Sequence, residues 1–214
     1  LLALDAFSRR NAANKPIALI SAPGRTELGG NHTDHQRGRV LAAAVSLDMV
    51  AAVSPNEDGR VRICSEGMPP VDIEIGDGSA KQAEEGTSAA LVRGVAAGIA
   101  GLGARIGGFD AAMVSAIPVG AGLSSSAAYE ILIGSILNEL YNGGALAPVQ
   151  LATVGHTAEN VYFNKPCGMM DQTACAVGGV VAIDFCDPQK PVIEQIACDF
   201  NARGYRLFIT DAGG

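Results

Sequence analysis

Residues 118–128 read PVGAGLSSSAA, and this stretch decides how the chain is interpreted. It lies between a predicted strand at residues 108–117 and a long helical pattern that begins in its serines. Glycines let the backbone approach a ligand closely, and serines at a helix start place hydroxyls beside unpaired N–H groups, where the helix dipole favours negative charge. The stretch therefore predicts a loop that holds a phosphate. No lysine follows its glycines, so it is not a Walker A sequence.

Outside this loop, the apolar pattern predicts strands first, helices in the middle and strands again at the end. This order is typical of an α+β fold, with helices packed on one face of a mixed sheet. We expect a single domain, because no internal repeat, low-complexity tract or linker interrupts the 214 residues. The predicted strands are residues 17–22, 47–54, 60–65, 71–75, 108–117, 179–185, 192–198 and 205–210; the predicted helices are residues 2–11, a helix capped by Thr87 with Leu91, Val95, Ile99 and Leu102 on one face, a helix from the serines to Asn142, and residues 148–163.

The composition argues against several classes of partner. Hydrophobic residues make up 48% of the chain, charged residues 17%, and the formal net charge is −7. This negative charge disfavours a nucleic-acid backbone as a partner. We expect no membrane span and no secretory signal, because no run of 18 apolar residues and no basic-then-apolar start occurs. Five cysteines without CxxC pairing favour reduced thiols and a cytoplasmic location.

A second stretch, residues 22–45, reads APGRTELGGNHTDHQRGRVLAAAV. Asn31, His32 and Asp34 follow two glycines, and such closely set donors and acceptors suit the several hydroxyls of a sugar. Two other interpretations stay open. The stretch could be a polar connection around a Gly-Gly turn, or a metal site with His32, Asp34 and His35 as ligands, although no further cysteine or histidine supports that site nearby in the sequence.

A third stretch, residues 158–179, reads AENVYFNKPCGMMDQTACAVGG. Glu159 lies near the end of a predicted helix, and Asp171 follows twelve residues later, after a Pro-Cys-Gly turn. A carboxylate near phosphates can hold magnesium, and a second can accept a proton from an attacking hydroxyl. Taken alone, each acid is also consistent with a solvated helix residue or a cap. Cys167 and Cys175 are predicted to be small core residues.

In this order and at these spacings, the three stretches resemble the galactokinase branch of the GHMP sugar and metabolite kinases, over almost the whole chain. APGR…HTDH resembles the family's sugar-binding signature, PVGAGLSSSAA its phosphate loop, and PCGMMDQ its catalytic-aspartate segment. The HTD and CG-x-MDQ features favour the galactose-type branch over mevalonate or homoserine kinases. The fold that the resemblance implies is the left-handed βαβ domain also seen in domain 2 of ribosomal protein S5.

The resemblance also implies roles for the matching positions. Asp171 is similar to the catalytic aspartate that faces the sugar's anomeric hydroxyl. Arg25 is similar to the arginine beside it, whose charge would stabilise the carboxylate and offset developing negative charge. Ser126 and Glu159 match the Mg²⁺-binding positions. The positions that match the ATP-phosphate loop are Gly120, Gly122, Leu123, Ser124, Ser125 and Ser126, and those of the sugar pocket are Asn31, His32, Asp34, Gly168 and Asp171.

Three positions depart from the family's pattern. Asn31 and His35 stand where the family usually has glutamate and tyrosine, and Glu27 stands where it usually has asparagine. An amide both donates and accepts hydrogen bonds, whereas a carboxylate only accepts them. The hydroxyl preference of the sugar pocket could therefore differ from that of the family.

The activity that the resemblance implies is ATP-dependent phosphorylation of the anomeric hydroxyl of galactose to galactose 1-phosphate, with Mg²⁺ as cofactor. Galactokinases are roughly twice as long as this chain, and their third motif, a glycine-rich loop, has no match in it. We therefore expect residues 1–214 to be an N-terminal GHMP domain without its C-terminal domain, with weak or no activity alone. Apolar surface exposed by such a truncation could support a dimer.

Three alternatives remain open at the level of the sequence. The first is a sugar- and ATP-sensing regulator that keeps the kinase fold. The second is a kinase for a related sugar, such as galacturonate or N-acetylgalactosamine. The third is an RNA-binding S5-like domain, which the acidic charge disfavours. The presence of Arg25, Asp171 and the serine loop favours an enzyme over a sensor.

Overall fold

The sheet is organised around one long strand. In the computed structural model, which describes Phe7 and residues 16–76, 78–118, 120–188 and 190–210, β1 (Ala18–Gly29) pairs antiparallel with the 17-residue β2 (Arg39–Pro55). Two further strands pair antiparallel with different parts of β2: β5 (Phe109–Ser115) with its residues 49–55, and β6 (Val180–Asp184) with its residues 39–43. Because β2 has only two edges, β5 and β6 follow one another along the edge opposite β1.

The remaining strands extend this sheet on both sides. β3 (Arg60–Ser65) pairs antiparallel with β4 (Val71–Glu74) and parallel with β5, while β7 (Val192–Ile196) pairs antiparallel with β6. The strand order is β4-β3-β5-β2-β6-β7, with β1 on β2. Among the described strands, only β3 and β5 pair in parallel, and this makes the sheet mixed, as the sequence predicted.

Four α-helices are described: α1 (Ser88–Gly101), α2 (Ser125–Asn142), α3 (Pro148–Thr157) and α4 (Met170–Val177). Thr87 caps α1 as predicted, because its side chain accepts a hydrogen bond from the N–H of Ala90. α2 ends where Gly143 adopts a left-handed φ of 59°. α3 continues into a π-helical segment, Ala158–Tyr162, and such segments often occur at functional sites.

The helices pack on one face of the sheet, which confirms the predicted layering. Phe109, Ala111 and Met113 of β5 point into a core that they share with α1 and α2. α2 is the innermost helix, with Leu132 and Ile133 fully buried. The side chains that alternate with the core residues of β5 face the other way, where polar groups meet: Asp110 lies within 3.4 Å of Arg62.

Close contacts between helices fix the π-helical segment. A Cβ atom added to Gly94 of α1 would lie 2.7 Å from that of Ala158, and one added to Gly98 would lie 2.8 Å from Val154. These glycines therefore allow α1 to approach α3 and the segment that follows it. Tyr162 at the end of the segment donates a hydrogen bond of 2.7 Å to the carbonyl of Gly78.

The structure corrects several predicted elements. Residues 205–210 are exposed and form no strand, because no neighbouring strand among the described residues pairs with them, so that prediction is wrong. β2 begins eight residues earlier than predicted, because both β1 and β6 pair with its alanine-rich first half. α4 was not predicted at all. Of the predicted helix at residues 2–11, only Phe7 is among the described residues.

Leu102, predicted to share the buried face of α1, lies just after the helix and is 47% exposed. The other three members of that face, Leu91, Val95 and Ile99, are buried. Within the described ranges, no helix combines the length and the hydropathy that crossing a bilayer requires.

Candidate functional site

The serine loop joins β5 to α2 through a series of left-handed residues. Gly120 and Gly122 have φ angles of 78° and 72°, and Ser124, at the N-cap of α2, has a φ of 55°. Glycine adopts such angles without cost, whereas a serine there is strained by about 1–3 kcal/mol. Ser124 keeps this conformation because its hydroxyl donates a hydrogen bond to Asp171 instead of capping the helix. Non-glycine residues held in this way are concentrated at functional sites.

An ion pair at the loop joins two residues that lie 146 positions apart in the chain. Arg25 of β1 places Nε and Nη2 each 2.7 Å from Oδ1 of Asp171, in the first turn of α4. The other oxygen of Asp171 accepts a hydrogen bond from the hydroxyl of Ser124. The arginine side chain is 6% exposed and that of Asp171 is 29% exposed, so the carboxylate faces an opening beside the loop.

Arg25 also fixes the loop itself. Its Nη1 donates a hydrogen bond of 2.6 Å to the carbonyl of Gly122, and its backbone N–H donates one of 3.1 Å to the carbonyl of Leu123. A side chain on Gly24 would come within 2.9 Å of that same Leu123 oxygen. β1 can therefore lie directly against the loop only with glycine at position 24.

A second carboxylate lies at the first turn of α2. Ser126 donates a hydrogen bond of 3.0 Å to Oε1 of Glu159, which is 3% exposed and belongs to the π-helical segment. Lys165 donates to the same oxygen at 2.9 Å, and Gln172 donates to Oε2 at 2.8 Å. Burial raises the pKa of Glu159, but hydrogen bonds from Lys165, Cys167 and Ser126 outweigh it, so the net pKa is lowered.

A third acid, Glu130, lies behind this carboxylate in the core. It is 1% exposed, and its Oε2 accepts a hydrogen bond of 3.0 Å from the same Gln172 nitrogen that contacts Glu159. Burial, followed by the charge of Glu159, raises the pKa of Glu130 well above its ordinary value. Its Oε1 has no hydrogen-bond partner among the described residues. The surroundings of Glu130 therefore favour its neutral form.

Asp34, predicted for the sugar pocket, lies against the start of α4. This residue is 8% exposed, and its Oδ2 accepts a hydrogen bond of 3.1 Å from the N–H of Met170, the first residue of α4. A Cβ atom on Gly168 would overlap the Asp34 carboxylate. Asp34 thus satisfies an open N–H group of α4 and fits only because position 168 has no side chain.

Two other residues predicted for the pocket lie in the turn just before Asp34. Asn31 and His32 are exposed and left-handed, with φ angles of 59° and 53°. Glu27 fixes this turn, because its Oε1 accepts a hydrogen bond of 2.8 Å from the N–H of His32 while its Oε2 pairs with the imidazole. His35 lies 3.5 Å from Asp34. His32 faces Glu27 rather than a shared centre with Asp34 and His35, which does not support the metal alternative for these three residues.

The oxygen ligands for a magnesium ion are better placed at Ser126 and Glu159. In the parts of the chain that the structure describes, no three histidine, cysteine, aspartate or glutamate side chains form a metal-binding cluster. Magnesium does not require one, because it usually takes one or two carboxylates together with substrate phosphates and water. The Ser126–Glu159 pair beside a phosphate-type loop fits this donor set.

A cavity of about 650 Å³ opens beside the start of α2. Ser125 and Ser126 line one side of it, and apolar side chains line the rest, including Met68, Met113 and Phe163. Its volume and its mainly apolar lining are typical of small-molecule sites. The cavity therefore continues the phosphate-type loop into a space that could hold a larger group.

Several residues of this site were not predicted. Gln172, Lys165 and Glu130 all act on Glu159, directly or through one intermediate. The sequence carries one usable signal for them: Glu130 is the only charged residue between positions 118 and 138, inside an otherwise apolar helical pattern. Nothing in the sequence alone indicates that Gln172 joins the two glutamates, since positions 130 and 172 lie on different helices.

Two family profiles match the chain. Residues 90–179 match the profile described as the GHMP kinases N terminal domain, and residues 5–55 match the galactokinase galactose-binding signature. The first range contains the serine loop, Glu159 and Asp171. The second contains Arg25 and Asp34. The two halves of the Arg25–Asp171 pair thus come from the two matched regions.

Curated relatives include galactokinases from two bacteria. That of Streptomyces coelicolor is 38% identical over 202 residues, which cover 92% of this chain and 51% of the relative. That of Lacticaseibacillus casei is 40% identical over 159 residues, which cover 73% of this chain and 41% of the relative. The chain therefore spans about half the length, or less, of these curated relatives.

Solved structures show the same fold. The galactokinase of Lactococcus lactis, solved in complex with galactose, superposes with a TM-score of 0.76 at 26% identity, over 89% of this chain and 51% of that protein. The mevalonate kinase of Methanococcus jannaschii superposes with a TM-score of 0.68 at 17% identity, over 88% of this chain and 58% of that protein. At that identity the second likeness concerns the fold alone.

The first prediction concerns Gly168. A Gly168→Ala substitution would force the new methyl group against the buried Asp34 carboxylate, so we expect the free energy of unfolding to fall by about 1–3 kcal/mol. Urea unfolding measures this. The matched control is Gly101→Ala, where nothing lies within 4 Å of the added atom and alanine is expected to be neutral or stabilising by up to about 1 kcal/mol. Equal effects of the two substitutions would contradict the close Asp34–Gly168 contact.

The second prediction concerns the pH dependence of stability. Because the pKa of Glu130 is raised in the folded state, its contribution is complete below the unfolded pKa and is lost as the pH rises towards the folded pKa. In Glu130→Gln, the side chain at this position is neutral at every pH. The free energy of unfolding of the variant should therefore rise relative to that of the wild type as the pH increases from about 4.5, by up to about 1.4 kcal/mol per pH unit.

Urea unfolding curves recorded at several pH values between about 4.5 and 8 test this second prediction. The control is Glu139→Gln, at an exposed position of the same helix, whose stability curve should run parallel to that of the wild type. A Glu130→Gln curve that also runs parallel to the wild type would show that Glu130 is not held as a neutral acid.

Proposed function

We propose that this chain comes from a galactokinase-type enzyme of the GHMP kinases, since residues 90–179 match the GHMP kinases N terminal domain and residues 5–55 match the galactokinase galactose-binding signature. The reaction transfers the γ-phosphoryl group of ATP to the anomeric hydroxyl of galactose. The observation that carries this proposal is the ion pair between Arg25 and Asp171 beside the serine loop, because it places the Asp171 carboxylate next to a phosphate-type loop and one residue from Met170, whose N–H holds Asp34.

In this proposal, Asp171 accepts the proton of the sugar's 1-hydroxyl. Nε and Nη2 of Arg25 bind one of its oxygens, while among the described residues the other oxygen accepts a hydrogen bond only from the hydroxyl of Ser124. A hydroxyl is a replaceable partner, so the second oxygen is the one that a sugar hydroxyl would reach. Arg25 fixes the orientation of the carboxylate and offsets negative charge that develops at the reacting oxygens.

The serine loop is proposed to hold the phosphates of ATP. The backbone of Gly120–Ser126 turns around an open space at the N-terminus of α2, where unpaired N–H groups and the helix dipole attract an anion. Ser126 and Glu159 would hold Mg²⁺, and its charge would offset the negative charge of the phosphates when it is bound. The cavity beside Ser125 and Ser126 would take the nucleoside end of ATP, because it is apolar and continuous with the loop.

Asp34 and the turn just before it are proposed to bind the sugar. Asp34 is held by the N–H of Met170, next to Asp171, so the buried carboxylate and the reactive carboxylate belong to the same end of α4. Asn31, His32 and Gly168 would complete the pocket. The family usually has asparagine at position 27 and glutamate at position 31, and this chain has the reverse. Because Glu27 is engaged with His32, we expect the reversal to change which side chains meet the sugar hydroxyls.

We also propose that residues 1–214 form one domain of a longer two-domain enzyme in the cytoplasm. This is supported by the length of the curated relatives, of which the Streptomyces coelicolor galactokinase is covered to 51%. Phosphoryl transfer depends mainly on positioning, and in such an enzyme the second domain would close the site from the other side. Activity is therefore expected of the full-length protein.

The third prediction is the activity itself. Full-length protein incubated with ATP, Mg²⁺ and each of galactose, galactosamine, N-acetylgalactosamine, galacturonate and arabinose should release ADP fastest with galactose, and phosphorus NMR should show a sugar 1-phosphate. A faster reaction with another sugar of the panel would support the kinase activity but show that galactose is not the preferred substrate. ATP binding without phosphorylation of any sugar would instead indicate a sensor.

The fourth prediction concerns Asp171. Asp171→Asn should lower kcat by about 10²–10⁴-fold, because the amide cannot accept the hydroxyl proton, while the affinity for an ATP analogue stays within about threefold of the wild type because the serine loop is retained. The matched control is Asp72→Asn, an exposed residue paired with Arg60 on the other side of the sheet, which should leave kcat unchanged. Normal turnover by Asp171→Asn would refute the assignment.

A further inference from the structure

Glu159 combines deep burial with a single cationic partner. Its side chain is 3% exposed, and a buried carboxylate is costly unless it is paired and hydrogen-bonded. Within the described part of the chain, Lys165 is the only lysine or arginine that forms an ion pair with it, at 2.9 Å. The other groups around the carboxylate are neutral donors: Ser126, Gln172 and Cys167. Lys165 therefore supplies the positive charge at this site.

The lysine is held by a hydrogen bond at its backbone, while its side chain remains open to solvent. Its N–H donates a hydrogen bond of 3.0 Å to the carbonyl of Glu159, and the turn that follows is held by Asn160, which exchanges hydrogen bonds with Cys167. The lysine side chain, in contrast, is 58% exposed. Its ammonium group can therefore leave Glu159 for solvent without opening the core.

The ammonium and a magnesium ion would compete for one atom. Lys165 binds Oε1 of Glu159, the oxygen that also accepts the hydroxyl of Ser126. That oxygen lies on the Ser126 side of the carboxylate, while Oε2 is turned towards Gln172 in the core. A metal held by Ser126 and Glu159 must approach this same oxygen, and two cations on one oxygen repel each other.

We propose that Lys165 is an exchangeable counter-ion that occupies the metal position at Glu159 and leaves it when a divalent cation binds. It is a positioning residue: before the metal arrives, it keeps the buried carboxylate charged, paired and aimed at Ser126. Gln172 holds the opposite oxygen throughout, so the carboxylate does not rotate during the exchange. The inference rests on the proposed function, because it takes Glu159 and Ser126 as the metal-binding pair.

The replacement of Lys165 by a metal ion at Glu159 has two measurable consequences. A competitor that occupies the site nine-tenths of the time weakens the apparent metal affinity about tenfold, so its removal should strengthen metal binding. Removal should also leave Glu159 unpaired when no metal is present, which lowers stability in chelator and makes the protein more dependent on the metal. A lysine with a merely structural role would lower stability equally with and without the metal.

The experiment compares full-length wild-type protein with Lys165→Met, and with Lys165→Gln as a second neutral variant. Mn²⁺ is titrated in the absence of nucleotide and the free ion is followed by electron paramagnetic resonance; the thermal midpoint is recorded in EDTA and in Mg²⁺. We expect the neutral variants to bind Mn²⁺ about tenfold more tightly than the wild type. Their midpoint should be lower than that of the wild type in EDTA and should recover in Mg²⁺.

Three further variants separate the possible outcomes. Lys165→Arg keeps the charge and should bind Mn²⁺ within about twofold of the wild type, and Lys190→Met, which removes an exposed lysine elsewhere, should not change the affinity. Glu159→Gln should lose most Mn²⁺ binding; unchanged binding there would show that the proposed metal position is wrong. If Glu159→Gln loses the ion but the neutral variants bind it no more tightly than the wild type, the exchange at Lys165 is refuted while the metal position stands.

Discussion

The ion pair between Arg25 and Asp171 is the interaction on which the rest of the site depends. It joins β1 to the first turn of α4 across 146 positions of sequence, and the same arginine holds the loop through the carbonyl of Gly122. The arginine side chain is almost fully buried, so removing its carboxylate partner would leave a buried charge unpaired and lower stability. Three segments that are far apart in the chain are therefore held at one point by one charge pair, with Ser124 completing it.

A buried polar network supports this pair from the core side. Gln172 follows Asp171 directly and joins two glutamates, Glu130 and Glu159, through a single nitrogen. Two negative charges so close together in the core would repel each other, and the raised pKa of Glu130 resolves this by favouring its neutral form. Glu159 can then carry the negative charge, paired at its outer oxygen with Lys165. The arrangement keeps one carboxylate available for a cation beside the serine loop.

Much of the site could be predicted from sequence because its reactive residues occur in short motifs. The three motifs predicted the GHMP fold and the galactokinase resemblance, and both are confirmed by the family profiles and the Lactococcus lactis structure. The loop glycines are also predictable, since Gly120 and Gly122 adopt angles that favour glycine. The roles of individual residues stay predictions.

Pairings between distant elements could not be predicted from the sequence. The contact between Glu130 and Gln172 depends on how α2 and α4 pack, and no local pattern encodes that packing. The predicted strand at residues 205–210 failed for the same reason: its apolar residues have strand propensity, but a strand also needs a neighbour to pair with. Tertiary context decides both cases.

A double-mutant cycle between Arg25 and Asp171 tests the central claim most directly. Free energies of unfolding are measured for the full-length wild type, Arg25→Met, Asp171→Asn and the double variant. If the charge pair holds the site together, each single substitution leaves a charge without its partner, and the coupling energy should be about 1.5–3 kcal/mol. Substitutions whose effects add to within about 0.5 kcal/mol would contradict this account, because they would show that the two residues contribute independently.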